Sequence, residues 1–204
     1  MTLTEQEEGE RASPPEPPRT GRRRALVEWI VILMIALVAS LLIKTFAIQA
    51  FFVPSTSMWP TLKPHDRVLV NKLAYDFHPV HEGDIVVFRR PPLDTDTAVP
   101  DLIKRVVGLP GQTIYVANCR VYINGKPLKQ PYLPRGWQLA TSPYCTTWTP
   151  SYPNPYKVPL GHYFVMGDNR KDSYDSRYWG PLPSNYIVGR AFLRVWPPSR
   201  VGSL

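Results

Sequence analysis

The residues Asp101-Leu102-Ile103-Lys104-Arg105-Val106-Val107-Gly108, followed by Leu109-Pro110-Gly111, decide the fold of this chain. Apolar and β-branched residues that end in a glycine- and proline-containing turn are typical of a β-strand. Alternate side chains of a strand point to opposite faces, so Leu102, Lys104 and Val106 share one face. The pattern therefore predicts a lysine with apolar neighbours on its own face of a sheet.

Similar short runs follow one another along the chain and predict a mainly β, antiparallel fold. The other predicted strands are residues 67–70, 84–88, 113–116, 120–123, 126–128, 163–166 and 187–195. Asn124-Gly125 is a strong signal for a two-residue hairpin turn. Proline makes up 24 of the 204 residues, more than twice its usual share of about 5%, which disfavours helices after the N-terminal region. Residues 112–160 are interpreted as a variable accessory segment, irregular from about residue 129.

The N-terminal region predicts one transmembrane helix. Residues 1–24 are polar, acidic at first and then rich in proline and arginine, so we expect a disordered tail. Residues 25–46 are predicted to span the membrane, because Glu28 and Lys44 near the ends can reach the headgroups. The alternative is a cleaved secretory signal, but the run is longer than a usual signal core, and no clean cleavage pattern follows it. A retained anchor is therefore the preferred interpretation.

Charge sets the predicted orientation of this anchor. The net charge is +8, and five of the arginines lie within the first 24 residues. Arginines placed before a span hold the N-terminus in the cytoplasm, so residues 47–204 are predicted to form an extracytoplasmic domain on the cell membrane. The rest of the chain has no basic stripe at helical spacing, and we do not predict a nucleic-acid partner.

The cysteines and histidines predict no metal site. Cys119 and Cys145 would lie outside the cytoplasm, where a disulfide is favoured over two free thiols. The histidines form no HExxH motif, and no CxxC pair accompanies them, so neither a metal nor a cofactor is expected.

Three polar elements could carry chemistry. The first is Pro54-Ser55-Thr56-Ser57-Met58-Trp59-Pro60-Thr61-Leu62, a rigid turn that could expose a serine hydroxyl. The second is Lys104, whose apolar surroundings would favour the neutral amine that a general base needs. The third is the polar run of residues 167–180. Taken singly, they can equally be a surface loop, a strand lysine that reaches solvent and a solvated turn.

Taken together and in this order, the segments resemble bacterial type I signal peptidases. The resemblance rests on an N-terminal anchor followed by PSTSMWPTL, GDIVVF, IKRVVGLPG and GDNRKDSYDSRYWG. It implies a mostly antiparallel β catalytic domain of the signal-peptidase type. It also implies a membrane-bound serine endopeptidase that removes signal peptides from secreted preproteins at small-x-small sites. Signal peptides of exported preproteins and the lipid bilayer are then the expected partners.

The resemblance assigns roles to particular residues. Ser57 is expected to be the nucleophile and Lys104 the general base, a Ser-Lys variant of the activated hydroxyl. The amide of Ser57 and the hydroxyl of Ser55 are expected to form the oxyanion hole. The resemblance also implies that Ser173 orients the lysine. Asp175 and Arg177 are expected to support the site structurally.

Other residues were considered for the substrate pockets and for the membrane surface. The strands around Val86 and Val106 are expected to help line two shallow apolar pockets for small side chains. The aromatic residues expected to face the membrane are Phe46, Phe51, Phe52 and Trp59.

Other functions stay open on the sequence alone. A related Ser-Lys enzyme with a narrower substrate, such as a pilin or conjugation peptidase, fits the same motifs. A membrane-tethered β domain that only binds partners is a second alternative, although it would not need Ser57, Lys104 and Ser173 together. A self-cleaving repressor is disfavoured, because it needs a DNA-binding domain and no membrane anchor.

Overall fold

The computed structural model describes residues 20–42, 47–91, 94, 99–118, 120–138 and 153–204. The chain divides into two compact units, Met1–Leu41 and Leu42–Leu204. The predicted tail, residues 1–24, lies mostly outside the described residues. So do Cys119 and Cys145, and with them the predicted disulfide.

The described residues of the first unit form one helix, α1 (Thr20–Leu42), whose last residue belongs to the second unit. It begins before the predicted boundary at residue 25, because the arginines there are good helix formers that extend the first turns. The predicted end at residue 46 lies outside the described residues. Within α1, the segment Arg23–Leu41 has a mean hydropathy of 2.2, and no part of it is buried in the protein. By its length and composition, this segment can cross a membrane. A helix of this length spans about 35 Å, enough for a hydrocarbon core of about 30 Å.

The second unit is mainly antiparallel β-structure, as predicted. In chain order its strands are β1 (Ile48–Phe52), β2 (Arg67–Asn71), β3 (Ile85–Arg89), β4 (Asp101–Gly108), β5 (Thr113–Ala117), β6 (Arg120–Ile123), β7 (Lys126–Pro127), β8 (Tyr156–Lys157), β9 (His162–Met166), β10 (Leu182–Pro183), β11 (Ile187–Trp196) and β12 (Gly202–Ser203). Within the described part of the chain, one sheet has the order β1-β2-β11-β3-β4-β9-β10, with β12 paired to β11. Two single-turn helices, α2 (Ala74–Phe77) and α3 (Ser176–Trp179), lie between the strands.

Every predicted strand is found within one or two residues of its predicted bounds, so the fold class is confirmed. The sequence did not predict β1, which follows directly on the apolar anchor and shares its composition. It also did not predict β8, β10 and β12, each only two residues long. Pairings this short depend on the partner strand and leave no periodic pattern of their own.

The accessory segment builds a second sheet of order β7-β6-β5-β8. Asn124 and Gly125 have φ angles of 50° and 79°, the left-handed conformation that the predicted hairpin turn requires. The part predicted to be irregular contains a 3₁₀ turn at Arg135–Gln138 and the short β8. Residues 139–152 lie outside the described residues.

The core follows the period of two that the sequence predicts. In β3, Ile85 and Val87 belong to one buried cluster, whereas Val86 and Phe88 belong to another. Across from it, β4 pairs in register, with Val86 opposite Lys104. The lysine is therefore held by a strand in the interior of the large sheet, paired to β3 on one side and β9 on the other.

Candidate active site

Ser57 and Lys104 meet in the structure, although they are 47 residues apart in sequence. The Nζ of Lys104 donates a hydrogen bond of 2.7 Å to the Oγ of Ser57. Both side chains are buried, with 7% of Ser57 and 4% of Lys104 exposed. A serine hydroxyl and an amine at this distance are within the reach that proton transfer requires.

Burial shifts the acidity of Lys104. Loss of solvent lowers the pKa of its ammonium to about 8, because the charged form is penalised in an apolar environment. The negative charges of Asp175 and Asp94 act in the opposite direction and raise this pKa, and the positive charges of Arg177 and Arg90 lower it. About a tenth of the lysine is therefore neutral one pH unit below this pKa, and that fraction is able to accept a proton.

The turn that carries Ser57 places a second hydroxyl beside it. The Oγ of Ser55 lies 3.2 Å from the Oγ of Ser57. A hydroxyl this close to the reacting oxygen can donate to an oxyanion that forms next to it. The turn itself is fixed by Met58 and Leu62, which are fully buried in the core.

The loop after β9 packs directly against this turn. The main-chain N–H of Asn169 donates to the carbonyl of Ser57 at 3.0 Å, and its side-chain amide donates to the carbonyl of Thr56 at 3.2 Å. Thr56 in turn donates its hydroxyl to the carboxylate of Asp172. Neither Asn169 nor Asp172 was given a role from the sequence. Their position inside the conspicuous GDNRKDS run was the only available signal.

The sequence predicts that Ser173 orients Lys104 by a hydrogen bond, and the structure does not form that bond. The Ser173 hydroxyl is buried without a well-formed hydrogen bond among the described residues. It lies beside Asp175 and helps to hold the pKa of that carboxyl down. Gly167 leaves the room for it, since a Cβ at that position would lie 2.2 Å from the Ser173 Oγ. Lys104 instead donates to Ser57, and the orienting role of Ser173 stays a prediction.

Asp175 and Arg177 form a buried, two-pronged ion pair, with distances of 2.8 and 2.9 Å. Burial alone would raise the pKa of Asp175, but the charge and hydrogen bonds of Arg177 outweigh it and hold this pKa below its usual value. Asp175 also accepts from the N–H of Gly167, and Arg177 donates to the carbonyl of Ser173. The pair therefore ties the two ends of the polar loop together.

Sequence reasoning missed a second buried ion pair next to the lysine. Arg105 donates to Asp168 at 2.9 and 2.7 Å, and its guanidinium lies 3.7 Å from the ring centre of Tyr132. Thr61, four residues after Ser57, donates to the same carboxylate at 2.6 Å. This network joins β4, the serine turn and the accessory segment. The alternation of β4 indicated that Arg105 points away from Lys104, but the identity of its partner was not readable.

A cleft of about 260 Å³ opens beside Ser57 and Lys104. Its walls include the apolar side chains of Phe51, Val53, Val68, Val87, Leu102 and Ile103. The strands around Val86 and Val106 do line the cleft, through Val87 of β3 and through Leu102 and Ile103 of β4. Val86 and Val106 themselves pack in the buried cluster that contains Trp179.

The aromatic residues expected to face the membrane have different environments. Phe51 and Phe52 both line the cleft, and Phe52 is 54% exposed. Trp59 packs against Trp137 with ring centres 4.8 Å apart. Phe46 lies outside the described residues.

Comparison with known proteins places these features in a family. The model of the family "Signal peptidase, peptidase S26" matches residues 26–196. Signal peptidase I of Leptolyngbya laminosa is 41% identical over 199 residues, which cover 94% of this chain and 92% of that protein. The probable signal peptidase I-1 of a Synechocystis species is 44% identical over 184 residues, 87% of this chain and 86% of that protein.

A solved structure was also matched. The crystal structure of a signal peptidase I from Enterococcus faecalis V583 has 31% sequence identity and a TM-score of 0.46, covering 55% of this chain and 97% of that one. The family match extends over most of the sequence, from the apolar helix to the end of β11, and the relatives align over nearly their whole length. The chain is therefore a peptidase of the signal peptidase family, peptidase S26.

Proposed function

We propose that this chain removes N-terminal signal peptides from exported preproteins, with Ser57 as nucleophile and Lys104 as general base. The observation that carries the proposal is the 2.7 Å contact between Lys104 Nζ and Ser57 Oγ in a buried site that opens onto a cleft. Names of the relatives support the substrate class, because several are signal peptidases I.

The proposed reaction uses only groups that the chain provides. Ser57 Oγ attacks the carbonyl carbon of the scissile peptide bond while neutral Lys104 takes the hydroxyl proton. The resulting ammonium gives that proton to the leaving amine as the C–N bond breaks, which leaves an acyl ester on Ser57. Lys104, again neutral, then takes a proton from a water that attacks the ester carbonyl. It returns this proton to Ser57 Oγ as the ester C–O bond breaks, which releases the acid product and restores the serine.

The negative charge that develops on the carbonyl oxygen needs a donor. The Ser57 amide and the Ser55 hydroxyl are proposed to supply it, and the 3.2 Å separation of the two serine oxygens supports this assignment. One such donor contributes about 3 to 4 kcal/mol of transition-state stabilisation. Asp175 and Arg177 are proposed to support the site structurally, through the loop that contacts Ser57.

The cleft supports a preference for small side chains before the cleavage site. Its volume is about 260 Å³, and its apolar walls can contact small apolar side chains. We propose that the residues at −3 and −1 of the substrate occupy it. The catalytic unit is proposed to work outside the cytoplasm, with α1 as a single anchor and the N-terminus inside.

The test is cleavage of a purified preprotein by the full-length enzyme in detergent or liposomes. Ser57→Ala and Lys104→Ala are each expected to reduce cleavage by at least about 1,000-fold while thermal unfolding stays cooperative. Matched controls are Ser184→Ala and Lys126→Ala, which alter an exposed serine and an exposed lysine. Substantial cleavage by either site variant would refute the assignment.

The narrower alternative is separated by substrate choice. A set of unrelated signal peptides with Ala at −1 and −3 should all be cleaved. Cleavage of only one specialised precursor would favour the pilin or conjugation type of processing enzyme.

A further inference from the structure

An ion pair that no role has been assigned to lines the same cleft as the lysine. Arg90 Nη1 lies 2.7 Å from Asp94 Oδ2, and both residues belong to the cleft wall. Only 13% of the Arg90 side chain and 2% of the Asp94 side chain are exposed. Two opposite charges have thus been largely removed from water in the wall of the cleft.

Main-chain hydrogen bonds hold both members of the ion pair. Arg90 directly follows β3, its main-chain N–H donates to Pro100 at 3.0 Å and its Nε donates to the carbonyl of Val99 at 2.9 Å. Asp94 is held through its N–H by the carbonyl of Pro91. Arg90, directly after β3, is therefore held by main-chain groups just before β4, the strand that carries Lys104.

Stability alone does not account for such a pair. Burying two charges costs several kcal/mol of desolvation, and well-packed apolar residues would serve a cleft wall equally well. The pair shares the cleft with Lys104. Charges in a poorly solvated site act on one another more strongly than charges on the surface do, so the pair can influence the lysine.

The charges that face Lys104 come from two directions. From the polar loop, Asp175 raises its pKa and Arg177 lowers it; from the cleft wall, Asp94 raises its pKa and Arg90 lowers it. Asp101, Asp172 and Tyr174 are the other titratable groups among the described residues that line the cleft. Each direction thus presents one positive and one negative group that oppose each other.

We propose that the Arg90–Asp94 ion pair is a positioning element for the active-site lysine, in which each member offsets the charge of the other so that the pair adds little net field at Lys104. The inference rests on the proposed function of Lys104 as the base. Neither residue is required to touch the scissile bond. Their effect is on the pH at which the lysine becomes competent.

The experiment measures the pH dependence of kcat/KM for preprotein cleavage in full-length variants. In Asp94→Asn the loss of a negative charge should move the midpoint of the acidic limb to lower pH, and in Arg90→Gln the loss of a positive charge should move it to higher pH. A shift of about half a pH unit or more is expected in each case. The double variant should return to within about 0.2 unit of the wild type, because both charges are gone.

Three controls separate tuning from structure. Arg90→Lys keeps the charge and should keep the midpoint, so it tests the proposal even if Asp94→Asn fails to fold. Arg190→Gln breaks the Arg190–Asp84 pair of 2.9 Å, whose residues do not line the cleft, and should leave the midpoint unchanged. Thermal unfolding of every variant reports loss of fold independently.

The outcomes distinguish this inference from the proposed function. If Lys104→Ala is inactive but the two single variants leave the midpoint unchanged, or shift it in the same direction, the pair is not a tuning element. If Lys104→Ala keeps its activity, the base assignment fails first and this inference fails with it. Opposite shifts that cancel in the double variant support the proposal.

Discussion

Lys104 illustrates how one residue can be given a chemistry that its free side chain lacks. A free lysine is almost fully protonated at neutral pH and cannot accept the proton of a hydroxyl. Placing it in the interior of the sheet, 4% exposed and in contact with Ser57, lowers the pKa to about 8. The residue type alone did not determine this; the neighbours on β3 and β9 did.

The first prediction concerns pH. The kcat/KM for preprotein cleavage should rise with pH, about tenfold per unit at first, and level off above a midpoint near 8, the pKa of Lys104. The sign follows from the lowered pKa: the neutral base is scarce below the midpoint and complete above it. Ser184→Ala should show the same profile, whereas a rate that is flat from pH 6 to 10 would contradict a lysine base.

At the scale of elements, the serine turn and the loop after β9 approach each other through a glycine. A Cβ on Gly167 would lie 2.4 Å from the carbonyl oxygen of Ser57, and this neighbour is backbone that cannot rotate away. The N–H of Asn169 bonds to the same carbonyl, so the loop cannot retreat without losing that contact.

Gly167→Ala is therefore expected to displace the nucleophile. A misplacement of about 1 Å lowers catalysis about 100-fold, and overpacking costs about 1 to 3 kcal/mol of stability. The measurements are kcat for a preprotein and thermal unfolding. The matched control is Gly136→Ala, where an added Cβ would meet nothing within 4 Å. Equal activity of the two variants would show that the approach of turn and loop tolerates the added group.

These elements also show how far the sequence reaches. The period of two in β3 and β4 predicted the strands and the apolar setting of Lys104, because alternation is a local property. The pairing of Arg105 with Asp168 was not predictable, since the two are 63 residues apart and any of several carboxylates could have met that guanidinium. A period of two defines two faces of a strand but not the one that borders the cleft, so the cleft-lining positions of Val87 and Ile103 were not predictable.

At the scale of the whole chain, the sequence combines an apolar helix with a β domain. The apolar segment Arg23–Leu41 can cross a membrane by its length and composition. Its arginines precede the span, which favours retention of that end in the cytoplasm.

The predicted orientation, with the N-terminus in the cytoplasm and the β domain outside, is tested by protease accessibility. In spheroplasts of a bacterial host, added protease should degrade the β domain, while a tag fused before residue 1 remains intact. Lysis of the spheroplasts should expose the tag as well, and a cytoplasmic marker protein controls for leakage. Degradation of the tag before lysis, with a protected β domain, would indicate the opposite orientation.

The packing of Trp59 on Trp137 gives the molecule an optical property that is independent of catalysis. Two indole rings with centres 4.8 Å apart have coupled electronic transitions, and one ring lies two residues from Ser57. The coupling depends steeply on the distance and angle between the rings. The near-ultraviolet circular dichroism of this pair therefore reports on the conformation of the serine turn. Subtracting the spectrum of Trp137→Phe from that of the wild type isolates the signal of the pair. The conformation of the turn can therefore be followed even in a variant that lacks Ser57, the proposed nucleophile.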